Sequence, residues 1–563
     1  MTNNCALKFH KDIPLKRSRL RFNEYYDIQT EFDRLYALSK NNQPFTNLME
    51  LILDRRNILL AYRTIKTNTG SGTAGVNGKT IEDWKVENQE NYVEYVQNRL
   101  INYMPHAVRR VEIPKNNGGI RPLGIPTIED RLIQQSIKQI IEPIAEAKFH
   151  NHSYGFRPNR GARDAIARLN SLVNKGQIFY VVDIDIKGFF DNVNHGKLLK
   201  QLWNLGIQDK NLLSIISKML KAEIQNIGIP EKGTPQGGIL SPLLSNIVLN
   251  ELDWWISNQW ETIKTNHKYS YRHKYKALKK SSKLKECFIV RYADDFKILC
   301  KNKNTTNKIF HAVKLWLKER LSLEINTEKS KVINIKTESS EFLGFRFKVK
   351  KVGKKYVIYS HVSEKSEEKI KTKLKEKIKK IQHEPTAENV NRYNSAVLGM
   401  QNYYKTATHV SKDFAKLAFV LSRTLWNRTK NIQSKKEADK IILTKAYLKF
   451  YEGNYKKIPI AGIVLFPIAE VKQAIPMCFS QDKCNYNDEG RVKIHKARTG
   501  IDMRIVHYLV KNPVLGQSLE YNDNRLSLYS GQNGKCGISN EYLQIRKMAV
   551  HHKLPKKLGG DEV

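Results

Sequence analysis

Cysteine, acidic residues and long apolar runs are all scarce in this 563-residue sequence. The six cysteines (Cys5, Cys287, Cys300, Cys478, Cys484 and Cys536) form no C-x-x-C pair. That spacing gives a zinc ribbon no support and suits buried thiols in a reducing compartment. Asp and Glu total 55 against 97 Lys and Arg, a net charge of +42. Such a surplus repels itself in a compact fold unless a polyanion neutralises it. No apolar window approaches the roughly 18–20 residues that span a bilayer, so no membrane partner is expected. The opening MTNNCALKFHKDIPLK lacks the apolar core of a secretory signal. Its first 22 residues are basic and nearly acid-free, a transit-peptide likeness that Pro14 makes less helical. Nucleic acid is the first candidate partner, because each phosphate contact releases counterions and strengthens binding.

What is present divides the chain into stretches. Apolar spacing predicts helices over 47–64 and 91–103, with a Gly/Thr/Asn-rich loop at 67–78 between them. Extended segments are expected at 108–113, 178–186 and 288–299, alternating with helices, which suggests an α+β domain with an antiparallel sheet. Beyond about 360, Ile370, Leu374, Ile378 and Ile381 recur at helical spacing with Lys and Glu between them. Two more helical runs follow, near 387–406 and 411–430, and three basic-faced helices in a row would make a clamp for a duplex backbone. The Lys-rich run 273–285 reads as an exposed insertion.

Two segments carry the chemistry. In 288–300, Asp294 and Asp295 sit between apolar strands, at the tip of an expected hairpin. Asp favours turns, yet adjacent carboxylates at the rim of a core repel, and a bound divalent cation holds both ionised. Upstream, the apolar strand 178–186 is interrupted by Asp183 and Asp185, which point to the same face. Unpartnered acids in a buried strand are expensive. Two strands presenting three carboxylates build a two-metal site for nucleotidyl transfer.

Tyr292-Ala293-Asp294-Asp295 resembles the active-site box of reverse transcriptases, and Asp185-Ile-Lys-Gly-Phe-Phe-Asp-Asn192 resembles the upstream aspartate motif of the group II intron class. That resemblance implies Asp185, rather than Asp183, as the third catalytic carboxylate beside Asp294 and Asp295. It also implies two Mg²⁺ ions and a metal contact from the Ile186 main-chain carbonyl. Phe190 falls where the class keeps a ring under the sugar, favouring deoxynucleotides. The stretch 233–246 is similar to the template and nucleotide loop, which implies a nucleotide contact for Gln236 and a template contact for Gly237. The stretch 111–126 resembles a fingers hairpin turning at Asn117-Gly118, with Lys115 and Arg121 reaching the triphosphate. The stretch 152–160 implies template contacts for Arg157 and Arg160. Phe342-Leu-Gly-Phe345 resembles the primer-side motif, and 393–404 resembles the thumb, or maturase, region.

The resemblance thus implies a right-hand polymerase. Its parts are an N-terminal extension (1–45), fingers and an antiparallel palm (46–360), a helical thumb (361–430), a basic DNA-binding region (431–520) and a partial HNH endonuclease segment (521–563). In that last segment His551 would be a metal ligand and His552 a general base. The Asn and closing His that complete such a nuclease are not found before Val563, so no complete nuclease is expected in this chain. The expected partners are group II intron RNA, target DNA and dNTPs, in a bacterial cytoplasm or an organelle matrix. The expected activity is RNA-directed DNA synthesis coupled to intron splicing. A splicing cofactor without polymerase use and a defence or diversity-generating reverse transcriptase are the alternatives. All three carboxylates stand, which weighs against the first, and the thumb match weighs against the second.

Overall fold

The computed structural model describes residues 22–84, 88–114, 119–433, 443–453, 456–494, 501–532, 534–545 and 547–550. Its N-terminal part is helical. Helices α1 (Gln29–Lys40), α2 (Arg55–Lys66) and α3 (Gln89–Ile101) precede the antiparallel hairpin β1 (Arg109–Pro114) and β2 (Ile120–Ile125). The helix expected over 47–64 is broken, because the Asp54 carboxylate accepts the Arg56 amide at 2.7 Å and caps α2. Helix α4 (Ile128–Glu146), capped by Thr127, is buried along nearly its whole length and packs against α1 and α2.

The centre is a four-stranded antiparallel sheet. Helix α5 (Ala162–Asn174) leads into β3 (Tyr180–Ile184), and helix α6 (Ser241–Asn258) precedes β4 (Cys287–Tyr292) and β5 (Asp295–Cys300). Helix α7 (Lys303–Trp316) and strand β6 (Lys331–Asn334) complete it, in the order β4-β5-β3-β6. Strands β4 and β5 are buried except at the turn, and apolar but for Arg291 and Lys297, because α5 and α6 pack on β4 while α7 packs on β3, β5 and β6. A second sheet of β7 (Ser340–Phe342), β8 (Phe345–Val352) and β9 (Lys355–Val362) follows.

Three helices come next: α8 (Glu364–His383), α9 (Ala387–Tyr404) and α10 (Val410–Thr429). Ile370, Leu374, Ile378 and Ile381 are buried, as their spacing requires. The chain then runs back along its own body. Hairpin strands β10 (Pro459–Ile460) and β11 (Ile463–Val464) lie on α9, where Asn394 bonds both the Val464 carbonyl and the Phe466 amide. Tyr486 donates to Glu142 of α4, and Arg491 pairs with Asp33 of α1. Helices α11 (Met503–Lys511) and α12 (Leu519–Gly531) end on the N-terminal helices. There Asp523 of α12 accepts from Arg63 at 2.7 Å and from Tyr26 at 2.6 Å, and Glu520 pairs with Lys66. Among the described residues no helix is long and apolar enough to cross a membrane.

Candidate active site

The β4–β5 connection is a two-residue turn closed by the pair Tyr292↔Asp295. Ala293 takes a left-handed φ of 57° while Asp294 does not, the backbone pattern in which glycine is usual at the first central position. An alanine there costs on the order of 1 kcal/mol, so surrounding structure has to hold it. It is held by Arg291, whose side chain is 0% exposed. Arg291 forks onto Asp253 of α6 at 2.6–2.9 Å, and its Nη1 donates to the Asn246 amide oxygen and to the Ala293 carbonyl at 2.8 and 2.9 Å. Asn246 in turn donates to the Gly155 carbonyl. A Cβ on Gly155 would collide with the Ala293 amide, so only glycine lets this segment lie against the turn.

The sheet register sets the carboxylates opposite one another. Asp183 faces Lys297 and Ile184 faces Phe296, so Asp185, one residue past β3, emerges at the β4–β5 turn, where its charge acts on Asp294. Asp183 is taken: its carboxylate forms an ion pair with the buried Lys297 ammonium. Asp185 is 49% exposed, with Lys329 at 3.7 Å. Its main chain is fixed by Asn326 and Ser330. The bridge Ile186↔Ile325 is closed by the Asp185 carbonyl and the Lys187 amide on either side, so the ladder does not use the Ile186 carbonyl.

Burial pushes the Asp294 carboxyl above the usual range, the Asp185 charge pushes further, and Arg121 and Arg291 oppose. Asp295 is raised to about 6 by burial, with Asp183 and Asp294 adding to the shift. Lys297 and a main-chain hydrogen bond from Leu343 act the other way. Like charges facing each other across two strands are the electrostatic state that a divalent cation relieves. Oxygen-only donors on Asp185, Asp294 and Asp295 suit a hard cation. Among the described residues, no three or more His, Cys, Asp or Glu side chains are drawn together into a closed metal cluster.

Other expected residues are linked to one another around the segment that follows β3. Phe190 is half-buried against Phe189. The Thr234 amide donates to the Phe190 carbonyl at 2.7 Å, binding the 233–238 loop to the segment after β3. Gln236 donates to Asp191 at 3.4 Å, and its carbonyl accepts the Gly124 amide at 2.9 Å. Gly237, at φ +133°, lies so close to the Gly124 carbonyl that a side chain would overlap it. Arg121, on the exposed part of β2, has its charge in reach of Asp294. Leu343 and Gly344 bring the segment after β7 beside Asp295, and Tyr403 and Tyr404 of α9 pack on Phe345. Lys115, His551 and His552 lie outside the described residues.

The structure corrects the reading of Arg157. Its side chain is 2% exposed, and all of its nitrogens are engaged by Glu146 and by the His150 and Ser153 carbonyls, so a template phosphate cannot reach it. Arg160 donates to the Asn151 carbonyl and to Gln481 and stacks on Phe479, both from the returning C-terminal segment. Arg157 thus serves packing, while Arg160 stays partly exposed beside that segment. Sequence reasoning missed Arg291, Asp253 and Lys297. Their signal was present: opposite charges inside otherwise apolar runs must find one another.

Residues 113–347 match the reverse transcriptase (RNA-dependent DNA polymerase) family. The group II intron-encoded protein LtrA of Lactococcus lactis subsp. cremoris is 32% identical over 366 residues, covering 57% of this chain and 60% of LtrA. Protein YkfC of Escherichia coli is 32% identical over 317 residues, 53% of this chain and 82% of YkfC. The putative COX1/OXI3 intron 2 protein of Saccharomyces cerevisiae is 30% identical over 360 residues, 57% of this chain and 42% of that protein. The chain thus spans less than two thirds of the length of LtrA and of the yeast relative.

Proposed function

This chain belongs to the reverse transcriptase family, in its group II intron-encoded class, and from that premise we propose that it copies RNA into DNA and binds the intron RNA whose splicing it assists. One observation carries the reading. Asp185, Asp294 and Asp295 come together where two paired strands end, with the Arg121 charge in reach of Asp294 and with Phe190, Gln236 and Gly237 linked around the segment that follows β3.

In this reading residues 46–360 are fingers and palm, 361–430 the thumb, 1–45 an N-terminal extension and 431–520 a region that meets target DNA. Two Mg²⁺ ions held by the three aspartates and the Ile186 carbonyl would activate the attacking 3′-hydroxyl and steady the leaving pyrophosphate. Arg121 offers a planar fork to the phosphates, and Lys115 is a second candidate for them. The Phe190 ring lies under the sugar and excludes a 2′-hydroxyl. The Gln236 amide, fixed by Asp191, orients the incoming nucleotide against its template. Lys365, Lys369, Lys373, Lys377 and Lys380 make a basic stripe along α8, suited to tracking a nucleic-acid backbone. The setting is a bacterial cytoplasm or an organelle matrix.

The test is primer extension on an RNA template with dNTPs and Mg²⁺, beside a filter-binding measurement on intron RNA. Processive cDNA with tight RNA binding is the expected result. RNA binding without extension would replace this reading with that of a splicing cofactor.

A further inference from the structure

Lys297 is out of place for a core strand. Its neighbours Phe296, Ile298 and Leu299 are all fully buried, and its own side chain is 4% exposed. Period-two alternation puts Lys297 and Asp295 on one face of β5, as it puts Asp183 and Asp185 on one face of β3. The ammonium therefore occupies the fourth corner of a quartet whose other corners are carboxylates. It is ion-paired with Asp183 directly across the sheet and lies 3.8 Å from an Asp295 oxygen. The ring of Phe342, 5.6 Å away, lies against it. Lys329, near Asp185, is 62% exposed and screened by solvent, so Lys297 is the buried lysine within the cluster.

A buried ion pair is seldom a gain in stability over apolar residues of the same size. A purely structural role therefore gives little reason for Asp183 and Lys297. Their placement gives another. Pairing removes Asp183 from the set of free metal donors, leaving Asp185, Asp294 and Asp295. The ammonium also adds a fixed positive charge that cannot exchange with solvent, next to the acids that receive the mobile cations.

We propose that Lys297 is an internal counter-cation whose balance with Asp183 sets how tightly the Asp185–Asp294–Asp295 cluster holds divalent metal. The proposal rests on the polymerase reading for its meaning but is measured without catalysis. Lys297 is thus a positioning residue: it acts on the metal-binding acids and touches no substrate.

The experiment is a titration of the full chain with Mn²⁺ alone, followed by the loss of the free-ion electron paramagnetic resonance signal, with Asp294→Asn defining the background. Lys297→Met leaves Asp183 uncompensated and should tighten Mn²⁺ binding by about three- to tenfold. Asp183→Asn leaves the ammonium uncompensated and should weaken it by about the same factor. The double variant D183N/K297M should return to within about twofold of the starting affinity, since the two charges cancel. The Mg²⁺ concentration for half-maximal primer extension should move in the same opposite directions. A merely structural pair would move both single variants the same way, and that result, or no shift in either, overturns the proposal. Thermal melting reports folding. Should Lys297→Met fail to fold, Asp183→Asn and the double variant still decide: a double variant as weak as Asp183→Asn overturns it. Absence of primer extension in the unsubstituted chain would defeat the polymerase reading while leaving the Mn²⁺ comparison to judge Lys297.

Discussion

At the junction of α2 and α12, Glu520 and Asp523 are met by Arg63 and Lys66 and by the hydroxyls of Tyr26 and Tyr62. At the β4–β5 turn, Asp183 and Asp295 share one buried ammonium, and Asp294 and Asp185 add like charge beside them. The same side chain titrates oppositely in the two places. Asp523, fully buried, is nevertheless held below the usual carboxylate range by Arg63 and Lys66, which outweigh its desolvation. Asp294 and Asp295 are raised, because burial and like charge win over the nearby cations. A compensated cluster fastens the chain to itself, and an under-compensated one waits for a cation from outside.

Substitution can break this contrast most sharply at Asp295. Asp295→Asn should lower primer extension by about three orders of magnitude or more. Its metal-free melting temperature should be unchanged or slightly higher, since a like charge is removed. A large loss of stability would place Asp295 with the fastening cluster instead.

Asp523→Ala should do the reverse. It strands Arg63, leaves Lys66 with Glu520 alone, and should cost about 3–5 kcal/mol in denaturant titration, with extension by the folded fraction little changed. The effect carries a pH signature. Asp523 binds its proton less readily folded than unfolded, so its stabilisation is present above the ordinary carboxylate pKa of about 4 and is lost as pH falls below it. The advantage of the unsubstituted chain over Asp523→Asn should therefore shrink under acid, as measured by unfolding at successive pH values.

Smaller effects sharpen the active-site half of the comparison. Phe190→Val should raise the relative efficiency with ribonucleotides by about tenfold, read from competing dNTP and rNTP extension. Unaltered selectivity would return Phe190 to the core. Smallest of all, saturating Mn²⁺ should raise the melting temperature by about 1–2 °C in the unsubstituted chain and not in Asp294→Asn.

The parts of the site legible in the sequence are those whose logic is local. The Tyr292–Asp295 hairpin and the same-face pair Asp183 and Asp185 announce themselves by spacing, and the 233–238 loop by its resemblance to the family. What spacing left open was the use of each charge. Asp183 and Asp185 share a face, and only the register with β5 gives one to Lys297 and leaves the other exposed. Arg157 and Arg160 read as template contacts because the stretch 152–160 resembles the family's. Their actual partners are Glu146 and a segment some 320 residues later, which no local pattern encodes. The helical run 364–383 was legible for the opposite reason: its apolar stripe faces neighbours that directly follow it.

The closure of α12 on α2 also has a consequence in time. Arg63 bonds Asp523 across 460 residues of chain. At synthesis rates of roughly 5–20 residues per second, Arg63 emerges on the order of 20–90 s before its acid exists. For that interval the first helices carry unanswered positive charge. Folding of the N-terminal part is therefore completed late, by the arrival of α12 rather than by its own neighbours. A nascent chain halted before residue 519 should be protease-sensitive near α2 in a way that the full chain is not.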